Sequence, residues 1–198
     1  MAAVGDRLRF VVFARFLRET FPEATKVADV AGGRGLLSLE LRQLGFTPTI
    51  IDPRLVTNLP HRVRRALRRE ALQTGRVPRV PRLHARLEEV DLSEFDLVVG
   101  LHLDQASEPL ARRAVELGKP FALVPCCVMP LDGLGRSYAD WVTYLAALAP
   151  GSRIAHLPMQ GANMAVYRVG LRGSSDTPHS TRDGRALSRD LSLPKELV

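Results

Sequence analysis

A glycine-rich turn between an apolar strand and a helix constrains this chain more than any other feature: Val27-Ala28-Asp29-Val30-Ala31-Gly32-Gly33-Arg34-Gly35. About twenty residues later a second apolar stretch, Thr49-Ile50-Ile51-Asp52, ends in an acid. Glycines at a strand end let backbone come close to a ligand, and an acid at the tip of the next strand accepts hydrogen bonds from ribose hydroxyls. The pairing calls for a βαβ unit and points to a nucleoside as the ligand. A full dinucleotide fingerprint is excluded, because Ser38 stands where Gly33-Arg34-Gly35-Leu36-Leu37-Ser38 would need its third glycine. The blander reading is a turn whose small residues serve only helix–strand packing.

The rest of the chain alternates in the same way. Residues 6–21 carry Leu8, Val11, Val12, Phe16 and Leu17 close to helical spacing, and Pro22 stops the helix. A strand over 26–31, a helix over 35–44 ended by Gly45, and a strand over 48–52 follow. A helix over 61–74 is closed by Gly75, and a weak third strand over 79–85 is broken by Pro81. Asp96-Leu97-Val98-Val99-Gly100-Leu101 reads as a central parallel strand, buried on both faces. Then come a helix over 106–117, a strand over 121–126, a helix over 137–149, and strands over 154–158 and 163–171. The fold class is therefore α/β: a Rossmann-like, doubly wound, seven-stranded sheet, mostly parallel, with an antiparallel C-terminal hairpin. Residues 1–172 form one domain. Residues 173–198, rich in Ser, Arg and Asp without periodicity, read as a disordered tail.

Composition narrows the partners. Net charge is +7 with a sequence pI near 10.2, carried almost entirely by arginine, whose guanidinium fork suits phosphates. On the 61–74 helix Arg62, Arg65 and Arg69 share one face and could form a phosphate-facing stripe; a solvated helix face has the same pattern. Aromatic residues are sparse there, so base stacking is not indicated. No apolar run reaches the length of a membrane span, and no secretory signal is evident. With only two cysteines, adjacent in sequence, the expectation is a reducing intracellular compartment, cytoplasm or organelle matrix.

Four strand ends carry chemistry. Beyond the glycines and Asp52-Pro53, the fourth strand ends in Gly100-Leu101-His102-Leu103-Asp104 and the fifth in Pro125-Cys126-Cys127. His102 suits a general base, its pKa lying near neutrality, or a structural imidazole. Asp104 reads either as its partner or as a helix N-cap. Cys126 and Cys127 read first as buried structural thiols, then as a pocket wall. A metal site with His102 or Asp104 is a third reading, disfavoured because vicinal cysteines lack the reach of Cys-x-x-Cys, and no metal is assigned. The acid or amide that often meets adenine after a third strand is not evident in Leu83-His84-Ala85-Arg86-Leu87.

Asp29-Val30-Ala31-Gly32-Gly33-Arg34-Gly35 resembles the first motif of the class I S-adenosylmethionine-dependent methyltransferases, with Ala31 replacing the first glycine. Gly100-Leu101-His102-Leu103-Asp104-Gln105-Ala106-Ser107-Glu108 and Pro125-Cys126-Cys127 resemble one methyltransferase-domain family, which pairs His-x-x-x-Ala-Ser/Thr-Asp/Glu with Pro-Cys-Cys. It includes methyltransferase-like proteins, the glutathione-transferase C-terminal-domain-containing protein and, distantly, tRNA 2′-O-methyltransferases. The resemblance spans about residues 7–171. It implies S-adenosylmethionine held by Asp29, Gly32, Gly33, Gly35, Asp52 and Pro53. His102 and Asp104 would face the acceptor, and the substrate would be RNA, either tRNA or rRNA. The alternative is a methyltransferase-fold RNA-binding or ribosome-associated protein without catalysis, which Ala31 and the missing adenine acid favour.

Overall fold

A computed structural model describes residues 4–56, 58–75 and 80–170, with side chains from Leu8 onward. The tail expected over 173–198 lies outside them, as does the start of the strand expected over 79–85. Seven strands form one sheet: β1 (Lys26–Val30), β2 (Thr47–Ile51), β3 (Arg82–Leu83), β4 (Leu97–Leu101), β5 (Phe121–Val124), β6 (Arg153–His156) and β7 (Met164–Arg168). Their order is β3-β2-β1-β4-β5-β7-β6. The first five run parallel and the last two form the expected antiparallel pair. Strand order reverses between β1 and β4, and it is outside the carboxyl ends of strands at such a switch point that open α/β sheets bind ligands.

Strand alternation explains why helices cover both faces. Val99, Ala122 and Val124 point to one core, with Phe13 and Leu17 of α1 (Val4–Thr20), Phe21 just after it, and Leu37 and Leu41 of α2 (Leu36–Gln43). Val98, Phe121 and Leu123 point to the other. There they meet Leu110 and Ala114 of α4 (Ser107–Glu116) and Trp141 and Leu145 of α5 (Tyr138–Ala147). Each fully buried leucine or phenylalanine contributes about 1.5–3 kcal/mol, so this two-sided burial is what holds the strand ends in place.

Two expectations are corrected in detail. The third strand shrinks to Arg82–Leu83, because Pro81 cannot donate to a ladder and the residues beyond it are largely exposed. Helix α3 (His61–Thr74) has the expected bounds but buries only Val63, and is fastened to α2 by charge instead. Arg62 pairs with Glu40 at 2.6 Å, and Glu70 pairs with Arg42.

Candidate active site

Parallel pairing brings the loaded strand ends to one edge of the sheet. Val30 lies opposite Ile51, and Leu101 opposite Val124. Past β1 the chain turns sharply, with Ala31, Gly33 and Gly35 at φ of 52°, 50° and 76°. Gly32 is required for a different reason. A Cβ there would sit 2.7 Å from Oδ2 of Asp29, whose carboxyl is tucked beneath the turn. Oδ2 accepts the Ser38 hydroxyl at 2.6 Å, while Oδ1 has no hydrogen-bond partner among the described residues. Burial pushes this carboxyl up to about 7, against the opposing effects of Ser38 and Arg82. Buried beneath the turn, bonded to Ser38 and with its pKa raised by desolvation, Asp29 supports the glycines from below.

Asp52 is the centre of the first corner of the candidate site, at the tips of β1 and β2. Its Oδ2 accepts the Gly33 N–H at 2.9 Å, joining the tip of β2 to the glycine turn. Arg54 then covers the carboxylate, with Nη2 2.9 Å from Oδ2 and Nε 3.0 Å from Oδ1, while the Arg54 N–H also reaches Oδ1 at 3.0 Å. Burial raises the pKa of Asp52, but the bonds from Arg54 and Gly33 outweigh it and hold the group below the usual carboxylate range. Next to it lies a cavity of about 280 Å³ lined by Gly33, Arg34, Arg54, Leu55, Val56 and Asn58. That is just under the ~300–1,000 Å³ of typical ligand sites. Pro53, between Asp52 and Arg54, is exposed. Arg82 braces the turn from β3 through a short bond to the Gly33 carbonyl.

The second corner is built from β4 and β5. The His102 N–H donates to the Val124 carbonyl at 2.8 Å, extending the ladder by one rung. The chain then folds back on itself: a Cβ on Gly100 would lie 2.0 Å from Leu103, so only glycine lets that leucine tuck into the core. His102 and Asp104 take left-handed backbone, φ 61° and 50°, on either side of it. The His102 ring Nδ1 is 3.4 Å from Nη1 of Arg9. Asp104 caps no helix. Its Oδ1 accepts the Cys126 thiol at 2.8 Å and the Cys127 thiol at 3.4 Å. The cysteines are therefore not buried structural thiols; Cys126 is half-buried and Cys127 exposed, with their sulfurs 3.5 Å apart. Burial, then the Asp104 carboxylate, push the Cys126 thiol up to about 12.

Two features lie beyond what spacing alone suggests. Glu108, fully buried, takes the Leu131 N–H at 2.9 Å, the Tyr144 hydroxyl at 2.9 Å and Nε of Arg112 at 2.8 Å, tying the 125–137 segment to α4 and α5. The other is the Arg54 clamp on Asp52, for which spacing gives no signal. Of the arginine stripe, Arg65 and Arg69 are exposed whereas Arg62 is committed to Glu40.

Similarity to solved structures follows this geometry. Magnesium protoporphyrin IX methyltransferase of Synechocystis PCC 6803 with bound S-adenosylhomocysteine superposes with a TM-score of 0.54 at 15% identity, over 84% of each chain. The same enzyme with bound S-adenosylmethionine gives 0.52 at 16%, over 84% of this chain and 81% of that one. The S-adenosylmethionine-dependent methyltransferase SibL, in its apo form, gives 0.52 at 16%, over 82% of this chain and 55% of its own length. No family model matches the sequence, and no curated protein does. At these identities the likeness establishes the fold alone: a Rossmann-like, seven-stranded sheet with an antiparallel C-terminal pair. No helix among the described residues is long and apolar enough to cross a membrane.

Proposed function

We propose that this chain is an S-adenosylmethionine-dependent methyltransferase acting on RNA. The observation that carries the cofactor is the joint placement of Asp52, the Gly33 N–H and a cavity beside the glycine turn at the sheet's switch point. Asp52 would accept the ribose hydroxyls once Arg54 swings out, which its 66% side-chain exposure permits. Gly32, Gly33 and Gly35 keep the turn open to the ligand, and Pro53 would border the adenine. Asp29 supports the turn from below.

The cofactor supplies an electrophilic methyl on a sulfonium, so the protein's part is to orient the two reactants and keep water out. His102 would take the acceptor's proton, and Asp104 would lie beside it on the acceptor side. RNA as acceptor is supported by the net charge of +7 and by the exposed Arg65 and Arg69 on α3, the helix that follows the Asp52 loop. The finer family likeness, to the Pro-Cys-Cys group and distantly to tRNA 2′-O-methyltransferases, supports the same reading.

The second reading, a fold that binds RNA without catalysis, is favoured by one observation. Arg54 occupies both oxygens of Asp52, the place a ribose would need. Calorimetry with S-adenosylhomocysteine decides between them, using Asp52→Ala as the control. Micromolar binding lost in the variant supports the enzyme, and labelled-methyl transfer to RNA or to a small molecule then identifies the acceptor. RNA binding with steep salt dependence but no cofactor binding supports the second reading.

A further inference from the structure

At the acceptor corner Asp104 meets the two thiols of the Pro-Cys-Cys element, to which the proposed chemistry gives no role. Sγ of Cys126, Sγ of Cys127 and a carboxylate oxygen of Asp104 converge within 4.8 Å of one another. We propose that these three residues bind a thiophilic divalent cation of the zinc class, with the fourth coordination position open to solvent.

Geometry carries the argument. A tetrahedral zinc with Zn–S of about 2.3 Å and Zn–O of about 2.1 Å needs edges of about 3.8 Å between sulfurs and about 3.6 Å between sulfur and oxygen. The two sulfurs stand 3.5 Å apart, and Cys127 Sγ lies 3.4 Å from Asp104 Oδ1. Both are within a few tenths of an ångström of those edges. The third edge, Cys126 to Asp104, is 2.8 Å because a proton bridges it. When the metal binds, both thiols release their protons to solvent, and the Cys126–Asp104 pair lengthens from a hydrogen bond to a coordination edge. Vicinal cysteines seldom chelate together, since the chain normally turns successive side chains apart. Here the turn after β5 brings both sulfurs to one oxygen.

The frame is rigid where it needs to be. The His102 N–H bond to the Val124 carbonyl fixes the β4 and β5 ends side by side, and the Tyr138 hydroxyl holds the Pro125 carbonyl at 3.2 Å. Cys126 is half-buried and Cys127 exposed, so the outer side of the cluster faces solvent. Three protein donors with one open position is the pattern of zinc sites that keep a water or substrate ligand, in contrast to closed four-ligand structural sites. The inference does not depend on whether S-adenosylmethionine binds, and its test reads the metal alone.

The full chain, reduced and stripped with a chelator, is titrated with zinc against a chromophoric chelator, and in parallel with cobalt(II). One equivalent of zinc should be taken from the competitor, and cobalt should develop the intense thiolate-to-metal charge-transfer absorption. Cys127→Ser should lose about half of that absorption, Cys126→Ser and Cys127→Ser together should abolish binding, and Asp104→Asn should weaken it tenfold or more. Circular dichroism checks that each variant is folded. If the Cys126 variants do not fold, Cys127→Ser, whose thiol is exposed, carries the comparison. Failure to take up zinc, cobalt binding without charge-transfer absorption, or cysteine variants that bind like the parent would each overturn the assignment.

Discussion

Arg54 closes over the carboxylate of Asp52 with two side-chain nitrogens, at 2.9 and 3.0 Å, so the residue best placed to hold a ribose is already engaged from within the chain. The two are separated by a single proline, which lets the backbone of Arg54 bond Oδ1 as well. Any ligand that uses Asp52 must displace this guanidinium. Arg54 is largely exposed but Asp52 is buried, so the cost is at least that of an exposed ion pair, about 0.2–1 kcal/mol. Arg54→Ala should therefore tighten S-adenosylhomocysteine binding by about two- to fivefold, while Asp52→Ala should remove it. Calorimetry on both variants checks this. Weaker binding in Arg54→Ala would make the arginine a ligand contact instead of a competitor.

The buried carboxyl of Asp29 makes stability depend on pH in a definite direction. Its pKa is about 7 in the fold against an ordinary 3.8. Between about pH 4 and 7 the folded chain keeps a proton that the unfolded chain has released, so stability falls as pH rises through that window. The full effect, on the order of 2–4 kcal/mol, is present above pH 7. Asp29→Asn keeps an acceptor for Ser38 and cannot ionise, so it should lack this part of the pH slope and be the more stable protein at pH 8. Denaturant midpoints for both proteins at pH 4.5 and 8 measure the difference.

Much of the fold was legible because its signals are local. Leu97–Leu101 and Phe121–Val124 are continuous apolar runs, and α3 is framed by Pro60 and Gly75, so their extents follow from the chain itself. The third strand was overextended because its two residues carry no burial signal and gain their pairing only from β2. That the glycine turn and Asp52 meet at one sheet edge was legible because spacing along βαβ units fixes which residues reach it. What a side chain does there was not. Arg54 folding back on Asp52 is a choice of rotamer, and the raised pKa of Asp29 follows from its burial beneath Gly32. The meeting of Asp104 with Cys126 joins residues 22 apart that only the β4–β5 pairing brings together.

Glu108 illustrates how a buried charge organises a segment remote in sequence. Its burial raises the carboxyl, but bonds from Leu131, Arg112 and Tyr144 outweigh that and hold its pKa below the ordinary value. Glu108→Ala leaves the Leu131 N–H and the Tyr144 hydroxyl without this acceptor, at a cost of about 1–3 kcal/mol. The loss should appear as a lower urea midpoint, with faster amide exchange at Leu131 than at core positions such as Leu123. Uniform acceleration at both would show that Glu108 supports the whole domain and not this segment.

Ala31 carries a conformation better suited to glycine. At φ 52° its Cβ crowds the backbone, a penalty of about 1–2 kcal/mol, whereas glycine visits that region freely. Ala31→Gly removes the strain but adds freedom to the unfolded chain, which costs about 0.4–1 kcal/mol. The net expectation is a gain of up to about 1 kcal/mol, or about 2–4 °C in Tm for a chain of this length. Ala31 is only half-buried against the α4–α5 core, so the methyl lost is a small packing element. Thermal unfolding measures the balance. A fall in Tm would mean that the contacts of this methyl outweigh the strain of its backbone. A rise accompanied by tighter S-adenosylhomocysteine binding would place the methyl against the ligand as well.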